Sequence, residues 1–93
     1  MNELRKDLKE VLDLFGKYDG DLIGVNFPNE EVKVSLGEHK DDRENRLINL
    51  LQLCNKVNAS LVTFNLLEGT GIVELENGTP SSISYDESTK TWN

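Results

Sequence analysis

The amino-acid sequence predicts a single α+β domain, in which an antiparallel sheet of four to five strands packs against two helices. Two segments repeat their apolar residues with the period of a helix, and the segments between and after them alternate with the period of a strand. The length of 93 residues is close to the common size of one domain, so residues 1–93 are expected to share one hydrophobic core. The predicted order of elements is α-β-β-α-β-β-β, and the order of the strands within the sheet stays open.

The first helix is predicted over residues 2–17. Its apolar side chains recur at intervals that place them on one helical stripe, which consists of Leu4, Leu8, Val11, Leu12 and Phe15. Asn2 is a suitable N-cap, and Gly16 and Gly20 allow the chain to leave helical geometry. The helix is therefore expected to bury one face.

The next two segments alternate polar and apolar residues and predict a β-hairpin around a turn at residues 28–30. One face of the first strand carries Ile23, Val25 and Phe27, with Leu22, Gly24 and Asn26 on the other face. One face of the second strand carries Val32, Val34 and Leu36. Because alternate side chains of a strand point to the same side of a sheet, both strands are expected to bury these apolar faces.

The second helix is predicted from Asp41 to near Asn58. Glu44 follows Asp41 by three positions, which is a variant of the capping box. The apolar stripe consists of Leu47, Leu50, Leu51, Cys54 and Val57, and it is widened by Ile48 and Leu53. A helix with so broad an apolar face is expected to lie across the sheet as its central packing element.

Three further strands are predicted over residues 61–67, 72–76 and 81–86. The pair Asn77-Gly78 favours a two-residue type I′ turn between the last two of them. Such a turn would place Ile72 opposite Ile83 and Glu74 opposite Ser81.

The chain continues as Tyr85-Asp86-Glu87-Ser88-Thr89-Lys90-Thr91-Trp92. This run resembles the second hairpin of the immunoglobulin-binding domains of protein G, which has an aromatic residue, an acidic turn, Thr-Lys-Thr and a second aromatic residue. The resemblance covers eight residues and implies a similar turn, with Tyr85 and Trp92 near each other across the strands. It carries no implication of antibody binding.

The composition disfavours several classes of protein. The net charge of −7 repels nucleic-acid phosphates and anionic membranes, so direct binding to DNA, RNA or lipid is not expected. No stretch approaches the roughly 18 apolar residues of a membrane-spanning helix, and the first residues lack the apolar core of a signal peptide. The single cysteine, Cys54, cannot form an internal disulfide, which fits a reducing compartment. A cytoplasmic protein is expected.

Two residues invite a catalytic interpretation, and both have a simpler one. His39 is the only histidine and lies in a polar loop, but no motif supplies the nucleophile and the oxyanion-stabilising group that a histidine centre needs. Cys54 lies on the apolar stripe of the second helix, where a packed hydrophobic residue is favoured over a nucleophile. We therefore expect a protein without enzyme activity.

The sequence also gives only weak support for a metal site or a phosphate site. Residues 19–21 and 41–44 contain carboxylates that could hold magnesium or calcium, but neither segment matches the spacing of a calcium loop. A turn and a helix cap explain them better. Residues 69–71 contain two glycines, but they lead into a strand and lack the lysine of a phosphate-binding loop. No metal and no cofactor are expected.

The distribution of charge is the most informative feature of the sequence. Residues 19–42 hold seven acids and two bases and residues 57–93 hold five acids and one base, whereas residues 43–56 hold one acid and three bases. Acidic strands and turns would attract a basic partner surface; the alternative is a solvated surface that keeps the protein soluble. The candidate partner-binding residues are Asp19, Asp21, Glu30, Glu31, Glu38, Asp41, Asp42, Glu74 and Glu76, with Tyr85 and Trp92 as aromatic anchors.

These features favour a small acidic interaction protein that inhibits a basic, nucleic-acid-handling site on a partner such as a nuclease or a toxin. By analogy, the chain looks like the acidic phage or mobile-element proteins that block host defence nucleases, and like immunity proteins that cap toxic enzymes. The alternative is a homodimeric structural or regulatory subunit whose acidity is incidental. Its interface would use apolar positions outside the assigned core faces, which are Leu14, Leu22, Leu53, Leu61, Leu67 and Trp92.

Overall fold

Two helices and six strands make up the described part of this computed structural model, which covers residues 4–19, 21–34 and 40–93. The elements are α1 Lys6–Lys17, β1 Leu22–Asn26, β2 Glu31–Val34, α2 Lys40–Val57, β3 Ser60–Asn65, β4 Thr70–Glu74, β5 Pro80–Asp86 and β6 Thr91–Trp92. The α+β class and the element order are confirmed. The sheet has more strands than expected because the segment predicted at residues 81–86 forms β5, and the last residues of the run from Tyr85 to Trp92 form a further strand, β6. Neither helix in the described ranges is long and apolar enough to cross a membrane.

The six strands form one sheet in the order β2-β1-β3-β4-β5-β6, and every neighbouring pair is antiparallel. Strands β2 and β3 therefore both flank β1, and the connection between them runs through α2. From β3 onward the chain forms a simple meander of adjacent strands. Strand β2 is the outer strand on one side of the sheet, and β6 is the outer strand on the other.

The hydrophobic core lies between the helices and one face of the sheet. Both helices supply side chains to it, together with residues of β1, β3, β4 and β6. On α2, the side chains of Leu47, Leu50, Leu51 and Cys54 are completely buried, which confirms this helix as the central packing element. Each fully buried leucine contributes about 2 kcal/mol to folding. Val57 is exposed, contrary to prediction, because it is the last residue of the helix.

The first helix begins later than predicted. It starts at Lys6, and Arg5 occupies the N-cap position without a capping hydrogen bond from its side chain. The guanidinium of Arg5 instead donates to Asn58 Oδ1 at 2.9 Å and to the carbonyl of Ala59, which ties the start of α1 to the end of α2. The predicted cap, Asn2, lies outside the described residues.

A bulge in β1 changes which of its side chains are buried. The pairing of β1 with β2 shifts between Leu22 and Gly24, so that Leu22 and Val25 both reach the core. Phe27, which was predicted to be buried, lies beyond the strand and is 37% exposed. A Cβ atom on Gly24 would lie 2.5 Å from the carbonyl oxygen of Phe64, so only glycine permits the close approach of β1 to β3.

The valines of β2 face the helix side of the sheet and still remain exposed. Val32 lies opposite Val25 and Val34 lies opposite Leu22, so each shares a face with a core residue. All four residues of β2 are nevertheless exposed. The predicted burial is wrong because the two helices do not extend over this outer strand. Leu36, the third residue of that predicted face, lies outside the described residues.

The turn between β4 and β5 has three residues instead of two. The N–H of Gly78 donates to the carbonyl of Leu75 at 2.8 Å, the N–H of Leu75 donates to Thr79 at 2.9 Å, and Gly78 has a φ of +86°. This is a three-residue loop with glycine in the left-handed conformation.

The extra loop residue moves the register of β4 and β5 by one. Ile72 lies opposite Ser82, and Val73 lies opposite Ser81, in place of the predicted pairs. A slip of one residue exchanges the two faces of a strand, so Val73 is buried and Ile72 is exposed. The predicted pairs of Ile72 with Ile83 and of Glu74 with Ser81 are therefore wrong.

Candidate functional site

Arg46 connects α2 to several strand connections. Its Nη1 donates to the carbonyl of Leu66 at 2.9 Å, its Nη2 contacts Glu87 Oε1 at 2.8 Å, and its Nε lies 2.9 Å from Asp42 Oδ2. The guanidinium also lies over the ring of Tyr85, 4.7 Å from the centroid. A planar group with five donors suits such a junction, and it partly neutralises Asp42 and Glu87.

A second arginine of α2, Arg43, is completely buried and lies 3.9 Å from Asp21 Oδ1. A buried cation needs an acidic partner to offset its loss of hydration. Both arginines therefore belong to the interior, although the charge count gave residues 43–56 an excess of bases. The sequence contains the signal, since Arg43 precedes Leu47 by four residues and Arg46 precedes Leu50 by four, which places both arginines near the apolar stripe.

The hairpin of β5 and β6 has the arrangement that the resemblance implies. Tyr85 lies opposite Trp92, with ring centroids 5.4 Å apart. In the turn, Asp86 Oδ1 accepts from the N–H of Ser88 at 2.8 Å, and the carbonyl of Asp86 accepts from the N–H of Lys90 at 2.7 Å. This part of the sequence prediction is confirmed.

The burial of Trp92 changes its expected role. Its side chain belongs to the hydrophobic core with 4% exposure, and its indole N–H is hydrogen-bonded to α2. It therefore stabilises the fold and does not offer an exposed anchor to a partner. Tyr85 is half-buried under Arg46, so it too serves mainly the packing of the hairpin.

Four of the candidate carboxylates lie at one end of the sheet, which we name the acidic sheet end: Glu30, Glu31, Glu74 and Glu76. The turn after β1 lies at the same end as the start of β3, because the N–H of Phe27 donates to the carbonyl of Val62 at 3.0 Å. The end of β4 lies there too, because Glu74 lies opposite Ser60. All four carboxylate residues are exposed. None takes part in an ion pair within the described part of the chain.

The other candidate carboxylates do not join this group. Asp21 and Asp42 lie next to the buried arginines at the opposite end of the sheet. Asp19 is exposed after α1 with a φ of 54°, and Asp41 lies in the first turn of α2. Glu38 lies outside the described residues, as does His39. The predicted acidic surface is thus divided between two ends of the molecule.

The face of the sheet opposite the helices is polar and uncovered by α1 or α2. Its central row runs across five strands through Glu31, Asn26, Thr63, Ile72 and Ser82. These residues line a shallow concavity of about 410 Å³, together with Lys33 and Glu68. Ile72 is the exposed apolar residue of this row.

Cys54 has the environment of a packed residue. Its side chain is completely buried, and burial raises the pKa of the thiol from 9.0 to about 11. The predicted packed position is confirmed. Within the described ranges, no three His, Cys, Asp or Glu side chains come together as ligands for a metal ion.

Comparison of the chain with protein-family models, with curated proteins and with solved structures gives no match. The functional interpretation therefore depends on the geometry and charge of the described residues.

Proposed function

We propose that the chain is a non-enzymatic interaction protein whose acidic sheet end binds a basic surface of a partner protein. The supporting observation is the concentration of Glu30, Glu31, Glu74 and Glu76 at one end of the sheet, with no ion pair to any described residue. The two turns at this end, residues 27–30 and 75–79, contain no lysine or arginine. Partner binding is thus assigned to these four residues and no longer to the carboxylates beside Arg43 and Arg46.

The spacing of the group suits an extended basic surface. The spacing between strands and the rise along each strand put the Cα atoms of Glu31 and Glu74 roughly 16 Å apart. Carboxylates spread over this distance contact several cations of a partner at once. They also raise the rate of association, which falls as added salt screens the charges.

An apolar contact accompanies the charges. Phe27 lies in the turn that leads to Glu30 and is 37% exposed, so it replaces Trp92 as the candidate anchor. Buried aromatic contacts supply most of the binding energy in many interfaces, while surrounding charges set specificity and rate. The finer proposal is that the partner is a nuclease or a toxin, whose basic site the carboxylates occupy in place of nucleic-acid phosphates.

The experiment compares two double variants of equal charge. Glu74→Lys with Glu76→Lys changes the acidic sheet end, and Asp13→Lys with Glu44→Lys changes exposed positions on the helices. Each pair raises the net charge from −7 to −3. Proteins captured from cells by the unchanged chain are identified by mass spectrometry and then purified, and their affinities for both variants are measured.

The expected partner is a basic protein that loses roughly tenfold or more in affinity for the first variant and much less for the second. Duplex DNA or RNA should compete with the chain for this partner. Equal affinity for the two variants would reject the acidic sheet end as the binding surface. A partner that is insensitive to nucleic acid would reject the finer proposal alone.

A further inference from the structure

Strand β2 exposes both its outer edge and its side chains. It is the first strand in the sheet order, so its outer edge has no strand neighbour among the described residues. Val32 is 39% exposed and Val34 is 51% exposed, both on the helix side of the sheet. An outer strand with exposed valines is suited to pairing with another strand.

The charges of β2 are complementary to themselves. Glu31 and Lys33 flank Val32 and lie on the uncovered face, since Glu31 is opposite Asn26 and Lys33 is opposite Gly24. In an antiparallel pair of β2 strands with Val32 on the two-fold axis, Glu31 of each copy lies opposite Lys33 of the other. Opposite charges directly across two strands stabilise the pair, and like charges destabilise it.

We propose that a second copy of this chain pairs with β2 in this register, which joins the two sheets into one. A two-fold axis between antiparallel strands is perpendicular to the sheet, so the helices of both copies lie on the same side. Residues that lie opposite each other in the two copies must then be on the same face of the sheet. A register shifted by one residue from this one would pair residues of different faces and is therefore excluded.

Two neighbouring registers, centred on Glu31 or on Lys33, also keep opposite residues on the same face of the sheet, but both are unfavourable. One places Glu31 opposite Glu31 of the second copy, and the other places Lys33 opposite Lys33. The register centred on Val32 separates like charges and brings the two Val32 side chains together on the helix side. The observed pattern of charge and exposed valine therefore fits a second copy in one register.

The test measures molar mass by sedimentation equilibrium over a wide range of protein concentration. The unchanged chain is expected to form a dimer. Glu31→Lys alone and Lys33→Glu alone each place like charges opposite each other, and each should raise the dissociation constant by roughly tenfold or more. The double variant Glu31→Lys with Lys33→Glu restores both opposite pairs and keeps the net charge at −7, so its dissociation constant should return toward that of the unchanged chain.

Three outcomes would overturn the proposal: a monomeric unchanged chain at millimolar concentration, single variants that dimerise as well as the unchanged chain, or a double variant no better than the single variants. Circular dichroism verifies the fold of each variant. The residues opposite Glu31 and Lys33 on β1 are Asn26 and Gly24, which are uncharged. Exchanging the two charges of β2 therefore places no like charges opposite each other between β1 and β2. Glu31 also belongs to the acidic sheet end, but this experiment measures self-association of the purified chain alone, whereas the partner-binding experiment changes only Glu74 and Glu76 at that end. A failure of one proposal is therefore distinguishable from a failure of the other.

Discussion

The indole N–H of Trp92 donates a hydrogen bond to the main-chain carbonyl of Arg46, with a nitrogen–oxygen distance of 2.9 Å. Trp92 lies in β6, which has only two residues, and Arg46 lies in the middle of α2. Two residues of strand pairing stabilise an edge very little. The buried indole and its hydrogen bond therefore hold the last strand against the helix.

Replacing Trp92 with Phe should lower the free energy of unfolding by roughly 1–3 kcal/mol, because the hydrogen bond and part of the buried ring volume are lost. Urea unfolding followed by circular dichroism measures the change without requiring tryptophan fluorescence. Tyr85→Phe is the control at the neighbouring, half-buried ring and should cost much less. Equal losses in the two variants would contradict the assigned role of Trp92.

Replacing Arg46 with Lys should cost about 2–3 kcal/mol of stability, although the charge is kept. A lysine ammonium cannot reproduce the guanidinium contacts to the carbonyl of Leu66 and to two carboxylates at once. Glu87→Gln should change stability little, because the side chain of Glu87 is largely exposed and exposed ion pairs are weak. The two variants are compared by urea unfolding at the same ionic strength, and a larger effect from Glu87→Gln would show that the ion pair dominates.

The register of β4 predicts opposite sensitivities for two adjacent apolar residues. Val73→Ala should destabilise the protein by roughly 2–3 kcal/mol, because Val73 is 3% exposed and its truncation leaves a cavity. Ile72→Ala should cost less than half as much, although isoleucine is the larger side chain, because Ile72 is 38% exposed. Thermal or urea unfolding of the two variants measures both losses of stability. A larger loss of stability for Ile72→Ala than for Val73→Ala would support the register that the two-residue turn predicts.

The thiol of Cys54 should react slowly in the folded protein. With a pKa of about 11, the folded thiol is about a hundredfold less ionised at neutral pH than a thiol at its ordinary value of 9.0. Its complete burial also limits access of a reagent. Reaction with a chromogenic disulfide should therefore be slow in buffer and fast in urea. Rapid reaction in buffer would contradict the packed position.

The same shift makes stability depend on pH. The neutral thiol is favoured by the folded state, so its contribution is fully present below the unfolded pKa of 9.0 and is lost as the pH rises through the folded pKa of about 11. The loss should reach about 3 kcal/mol at most. Other groups titrate in this range, so the slope of unfolding free energy against pH is compared with that of Cys54→Ala. Equal slopes would show that the thiol does not contribute.

Local sequence patterns were sufficient to predict those elements in which residue spacing alone determines which side chains contact one another. The stripe through Leu47, Leu50 and Cys54 predicted the buried face of α2, since spacing along a helix determines which side chains share a face. The run from Tyr85 to Trp92 likewise predicted a hairpin with its aromatic residues opposite each other. In both cases, the interacting residues are close in the sequence.

Other features depended on small differences that local patterns do not reveal. One additional residue in the turn at Gly78 exchanged the positions of Ile72 and Val73. A bulge in β1 brought Leu22 into the core, and the limited extent of the helix layer left Val32 exposed. Alternation predicts which residues share a face, but it does not show how far another layer covers that face.

The order of residues determined the fold class, the central helix and the overall excess of negative charge, because periodicity and composition are properties of the chain. Only the tertiary structure decided which carboxylates keep their charge unpaired. Arg43 lies close to Asp21 and Arg46 lies close to Glu87, and the members of each pair are distant in sequence. Glu30 and Glu74 lie at the other end of the sheet and make no ion pair with a described residue. Such pairings depend on strand order and helix placement, since electrostatic interaction depends on distance in space and on burial.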